Sequence, residues 1–109
     1  MIVYISIGNS DDKLSQAQWA EYFSNVALGI HGRADVVHGQ WVSEPASAWQ
    51  NACWCVTFAH DMVVTVAGLD VLRVDLVRDR LAQLARDYRQ DSIAWSEAEP
   101  EFLSAAPNA

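Results

Sequence analysis

The chain has 109 residues, 51% of them hydrophobic and 19% charged, and carries a net charge of −7. That is the size of one domain, long enough to bury roughly two-thirds of its unfolded surface without a metal or a disulfide and too apolar to stay disordered. The acidic balance counts against direct binding to nucleic acid or to an anionic membrane, both of which need basic patches.

Residues 2–8 (Ile-Val-Tyr-Ile-Ser-Ile-Gly) are β-branched and aromatic and stop at Gly8-Asn9-Ser10. Apolar on both faces, they are expected to form a central strand. A polar loop, residues 9–14, follows. Ser15 with Gln18 three residues on makes a capping box. The helix it opens carries Trp19, Tyr22, Phe23, Val26 and Ile30 as one apolar stripe. His31-Gly32 ends it, with Gly32 as a left-handed cap.

Residues 34–43 predict a second strand, residues 43–47 a loop, and residues 52–59 a third strand. His60-Asp61 is a turn. Met62–Ala67 reads as a further short strand or an extended lead-in, closed by Gly68. From Asp70 to about Gln90, Val74, Val77, Leu81, Leu84 and Tyr88 recur at spacings of three and four, the mark of a helix. Asp70 is its expected cap, with Asp70–Arg73 and Asp75–Arg78 as ion pairs along its surface. Residues 92–96 predict a last strand. From residue 98 the chain becomes an acidic, partly ordered tail, frayed by Pro107.

This order implies an α+β fold: a ferredoxin-like sandwich, an antiparallel sheet of four or five strands with two helices on one face. Residues 1–97 form a single domain. The second face of the sheet is left for solvent, a partner or a ligand, and Trp41, Trp54 and Trp95 all fall on strands that could present a ring there. The start of the chain lacks the basic region of a signal peptide, and no apolar run reaches the ~18 residues of a membrane span. Cys53 and Cys55 fit a reducing compartment as small buried hydrophobes. The expectation is a cytoplasmic protein.

Four clusters are candidates for chemistry. Asn9, Ser10, Asp11, Asp12 and Lys13 precede the first helix, whose N-terminal end favours anions, although acids there also suit the helix dipole with no ligand. His38 stands beside Gly39-Gln40-Trp41 and can titrate near neutral pH. Together with His60, Asp61 and the two cysteines it has no zinc-site spacing. Trp49, Gln50, Asn51 and Trp54 combine amides and indoles, the strongest recognition signal in the chain. Gln90 and Asp91 lie at the helix–strand junction ahead of Trp95. No phosphate loop, EF-hand spacing or nucleophile elbow occurs, so neither a cofactor nor a catalytic set is expected.

The segments Ser6–Leu14, Trp49–Trp54 and Tyr88–Trp95 resemble a group of small uncharacterised proteins of actinobacteria and their phages. The resemblance implies an accessory role for a phage or mobile element, exerted by binding a host protein. It assigns no activity and no functional residue, and Met62–Gly68 stands as an insertion relative to that group. The leading expectation is a non-enzymatic binding protein that holds a protein partner, or a second copy of itself as a homodimer, through a tryptophan-rich surface. Its rivals are a small-molecule site or small enzyme built where the polar loops meet, and an acidic nucleic-acid mimic using Glu97, Glu99 and Glu101.

Overall fold

The structure, a computed structural model, describes residues 1–44 and 47–106. Pro45 and Ala46 of the expected 43–47 loop, and Pro107 of the expected tail, lie outside the described residues. The elements in chain order are β1 (Ile2–Gly8), a 3-10 turn (Ser10–Asp12), α1 (Gln16–His31), β2 (Val36–Val42), β3 (Asn51–Thr57), β4 (Val63–Val66), β5 (Leu69–Leu72), α2 (Arg73–Asp87) and β6 (Ala94–Ala98). The fold is α+β. Four strands form one antiparallel sheet in the order β2-β3-β1-β6, and β4 and β5 form a separate two-stranded sheet.

Strand alternation places the core. On β1, Val3, Ile5 and Ile7 are buried, and they stand opposite Val56, Trp54 and Ala52 of β3. Trp19, Tyr22, Val26 and Ile30 of α1 and Val74, Val77, Leu81 and Leu84 of α2 join this same cluster, so both helices cover one face of the sheet. The capping box at Ser15 is formed: its hydroxyl accepts the Gln18 N–H at 3.2 Å, and the Gln18 side chain accepts the Ser15 N–H at 2.9 Å.

Five expectations are corrected. Gly32 caps α1 in the right-handed region (φ −73°), not the left-handed one. It suits the position because a Cβ there would lie 3.1 Å from the Leu28 carbonyl oxygen. Asp70 does not cap a helix. Ala67 and Gly68 carry positive φ values of 51° and 81°, the combination a two-residue hairpin turn of the primed kind demands. The chain therefore folds back as β5 before α2 begins at Arg73, with Leu72 as an N-cap that makes no side-chain bond. Asp70 bonds to Thr65 across the hairpin, and Arg73 pairs with Asp35. Nor does Asp75 pair with Arg78, whose carboxylate partner is Glu97 at 3.7 Å. The last strand runs two residues later than the periodicity indicates, ending at Ala98.

The hairpin meets the rest of the fold through contacts between β5 and α2, and residues 99–106 have no regular structure and are exposed. Consistent with two such extensions, the radius of gyration is 16.4 Å, against about 13 Å for a compact chain of this size. No described helix is long and apolar enough to cross a membrane.

Candidate functional site

The three polar loops converge at one end of the sheet, where β1 ends and α1 begins. The Asn9 N–H donates to the Gln50 carbonyl at 3.0 Å. The Asn9 side-chain amide donates to Leu14 O at 3.0 Å and to Gln50 Oε1 at 3.1 Å, and its Oδ1 accepts the Leu14 N–H at 2.9 Å. Gln90 Oε1 accepts the Ser10 N–H at 2.8 Å, while its own amide donates to Tyr88 O at 3.1 Å. Lys13 reaches Asp91 at 3.4 Å, and Arg89 donates to the Lys13 carbonyl at 3.1 Å. Gln50 continues the chain of bonds to Gln16 Oε1 at 2.8 Å.

Asn9 and Gln90 are the two buried polar residues of the described chain, and both are satisfied from within. A buried amide whose donors and acceptor are spent on its own loop has little left for a ligand. This convergence therefore works as a clasp that ties the start of α1 to the ends of β1 and α2. Asp12 joins it, its carboxylate accepting from the Asn9 amide at 3.4 Å and its N–H donating to the Asn9 carbonyl at 3.1 Å, while Asp11 stands outside; both are exposed, at φ values of 53° and 50°, a region aspartate tolerates better than most residues.

The other candidate residues lie apart. Trp49 is exposed in the loop before β3, with its N–H bonded to Ser47 Oγ at 3.2 Å. Asn51 turns back to the Trp49 carbonyl at 3.0 Å. Trp54 is fully buried, its indole N–H donating to Gln40 Oε1 at 2.7 Å, so it has no ring to offer a partner. Trp95 is half-buried on the helix side, stacked on Phe58 with centroids 5.7 Å apart and covered by the Arg78 guanidinium 5.3 Å from its ring. His38 shares a 2.7 Å hydrogen bond with Thr57 Oγ1. Among the described residues no three His, Cys, Asp or Glu side chains stand close enough to hold a metal. Glu97 is held by Arg78 and by the Trp95 indole N–H at 3.3 Å, while Glu99 and Glu101 lie in the irregular tail, so the three acids do not form a row on one strand.

The surface left open is the face of the sheet away from the helices. The register puts Ile2, Tyr4 and Ser6 of β1 beside Thr57, Cys55 and Cys53 of β3 on that side. Val36 and Trp41 of β2, and Ala94, Ser96 and Ala98 of β6, share it. None of these side chains is an Asp, Glu, Lys or Arg, in a chain of net charge −7, and the His38 imidazole bonded to Thr57 is an ionisable group beside them. Tyr4 (46% exposed) and Trp41 (56%) stand off it. The Cys55 thiol beside Tyr4 raises the tyrosine's pKa. Trp41 and Trp49 together line a shallow hollow at its rim. The period-2 alternation of β1 carries the signal for Tyr4. The side taken by Trp41 depends on a bulge in β2 between Val37 and Gly39, for which Gly39 is the only cue in the sequence.

Comparison with protein-family models, with curated proteins and with solved structures gave no match.

Proposed function

We propose that this protein is a non-enzymatic binding module whose open sheet face is its interface, and that the partner seated there is a second copy of the chain. The observation that carries this reading is the absence of Asp, Glu, Lys and Arg among the side chains of that face. Two copies of an acidic chain repel wherever their carboxylates meet, and a neutral aromatic face is where that repulsion is smallest and apolar burial greatest. Four strands about 4.8 Å apart, with about 3.4 Å per residue, span roughly 20 × 20 Å. A specific interface takes about 800 Å² of accessible surface from each partner. The dimer must then use nearly the whole face together with the Trp41–Trp49 rim. A two-fold contact places the central strands β1 and β3 of one copy over those of the other, with Tyr4, Cys53 and Cys55 near the axis.

The strand order β2-β3-β1-β6, with α1 and α2 each linking strands separated by one neighbour, supports the ferredoxin-like reading of the fold. Two free thiols support a reducing, cytoplasmic setting. A phage or mobile-element accessory role rests on the sequence resemblance alone.

Light scattering after size exclusion, at low micromolar concentration, tests the interface. The expected result is a dimer that Tyr4→Asp with Trp41→Asp converts to a monomer of unchanged circular dichroism. A wild-type monomer at 100-fold higher concentration ends the proposal. Trp54→Ala is not a test of it, because that ring belongs to the core.

A further inference from the structure

On the helix side of the sheet, a half-open groove of about 500 Å³ runs between α2 and β6. Its floor is apolar, made by Leu81, Ala85, Ile93 and Trp95, and Arg78 and Arg86 stand at its rim, with Asp91 at one end. Two of the seven cationic side chains of an acidic protein thus border one hydrophobic trough. Arg86 has only the Gln83 amide, at 3.3 Å, as a partner among the described residues. β6 is also the edge of the sheet, and its outer backbone groups pair with no strand among the described residues.

The segment after β6 has the complementary chemistry. Glu99, Pro100, Glu101, Phe102 and Leu103 are exposed and irregular. Phe102 is 89% and Leu103 84% exposed, which leaves two large apolar side chains in water beside two acids with no ion-pair partner among the described residues. We infer that the α2–β6 groove binds an extended acidic segment with an aromatic anchor, and that its occupant is the Glu99–Leu103 segment of another copy of this chain. Phe102 enters the trough over Leu81, Ala85 and Ile93, against the edge of Trp95, whose ring is already stacked on Phe58 and covered by Arg78, and the glutamates lie toward Arg86.

Delivery from another copy follows from the geometry of the chain. β6 leaves the sheet at Ala98, just beyond the Arg78–Glu97 pair that closes one end of the groove, whose apolar floor lies toward Ile93 and Trp95. The tightest reversal in the same chain would place Glu99 and Pro100 at the centre of a turn. Proline at the second central position pushes the preceding residue out of the helical region that a type I turn needs. Even with that turn made, Phe102 would stop opposite Glu97, about 7 Å short of Trp95 at ~3.4 Å per residue. The groove and the open sheet face lie on opposite sides of the sheet, so both contacts can be made at once. Occupied grooves then link dimers into larger assemblies as concentration rises.

The test uses the full chain carrying Phe102→Ala and Leu103→Ala, so that its own tail does not compete, and a fluorescent peptide with the sequence of residues 97–106. Anisotropy is expected to show saturable binding, weakened more than tenfold by Phe102→Ala in the peptide or by Arg86→Glu in the protein, and weakened by salt. Binding that is absent up to millimolar peptide, or equal for a scrambled peptide, or unchanged by Arg86→Glu, overturns the inference. Tyr4→Asp with Trp41→Asp in the receiving chain is expected to leave peptide binding intact, so failure of the sheet-face dimer and failure of the groove are read separately.

Discussion

Arg73, the first residue of α2, donates to the Asp35 carboxylate at the entrance to β2 and so ties the hairpin–helix junction to the sheet. The Ala59 N–H donates to the other Asp35 oxygen at 2.7 Å. The Arg73 guanidinium, with the Ala59 amide behind it, holds the Asp35 carboxyl below its usual value of 3.8. A carboxyl with a lowered folded-state pKa adds stability that is complete above its unfolded pKa and is lost as pH falls through the folded one. Thermal unfolding from pH 7 to pH 2 is therefore expected to show Asp35→Asn less stable than wild type at neutral pH. The gap should begin to close below about pH 4. A gap that stays constant to pH 2 would show that the charge on Asp35 is not what stabilises this junction.

The Asn9 clasp makes a different forecast. Asn9→Ala strips Leu14 of a partner for both its N–H and its carbonyl and leaves Gln50 Oε1 without its donor. Buried polar groups left unpaired cost about 1–3 kcal/mol each when water does not reach them, so a loss of about 2–3 kcal/mol is expected in urea unfolding. Asn9→Asp keeps the acceptor for Leu14 N–H but sets a carboxylate against two oxygens, and should be at least as damaging. If either variant unfolds like wild type yet loses an association, the loop is a recognition site and not a clasp.

Tyr22 offers the opposite sign. Its ring is fully buried on α1, 4.9 Å from the Tyr88 ring, and its hydroxyl has no hydrogen-bond partner among the described residues. Burial pushes its pKa up to about 12. Removing an unsatisfied hydroxyl while keeping the ring is expected to be neutral or stabilising by about 1 kcal/mol. The raised pKa also means that stability present below about pH 10 is lost as pH rises through 10 toward 12. Tyr22→Phe should flatten that alkaline loss in a series of unfolding curves. A destabilisation above about 1 kcal/mol would reveal a partner for the hydroxyl.

Much of the frame was legible because its signals are local. The β-branched run of β1, the Ser15 box and the stripe on α1 each declare themselves within a few residues. The faces of the tryptophans were not legible, and β2 shows why. With strict alternation from Val36, Trp41 would point to the helices. The extra residue at the bulge reverses the parity after Val37. Gln40 is thereby turned inward to receive the Trp54 N–H, and Trp41 outward to the open face. A bulge is set by pairing across strands, so no window of sequence reports it. The convergence of Asn9, Gln50 and Gln90 depends likewise on residues 41 and 80 positions apart along the chain. Convergence at the strand–helix junctions belonged to a rival reading, a ligand site, and the bonding within the cluster gives it a structural role instead.

The β4–β5 hairpin was hidden by overlap. Leu69, Val71 and Leu72 suit either a strand or the lead of an amphipathic helix, and Asp70 looks like a cap in both. Its turn is also imperfect. Ala67 holds φ 51°, a conformation that costs a residue with a Cβ roughly 1–2 kcal/mol and that asparagine or glycine adopts more readily. Thr65 to Asp70 at 3.0 Å is the side-chain bond across the ladder, and most of the apolar side chains are exposed, so the hairpin should open before the core does. Ala67→Asn is expected to slow hydrogen exchange of the β4–β5 ladder amides about threefold to tenfold, and Ala67→Val to speed it, with exchange in β1 and β3 unchanged in both. Equal slowing throughout the molecule would mean that the hairpin is part of the global folding unit, and its exposed valines and leucines would then have to be explained by a contact with the core in solution.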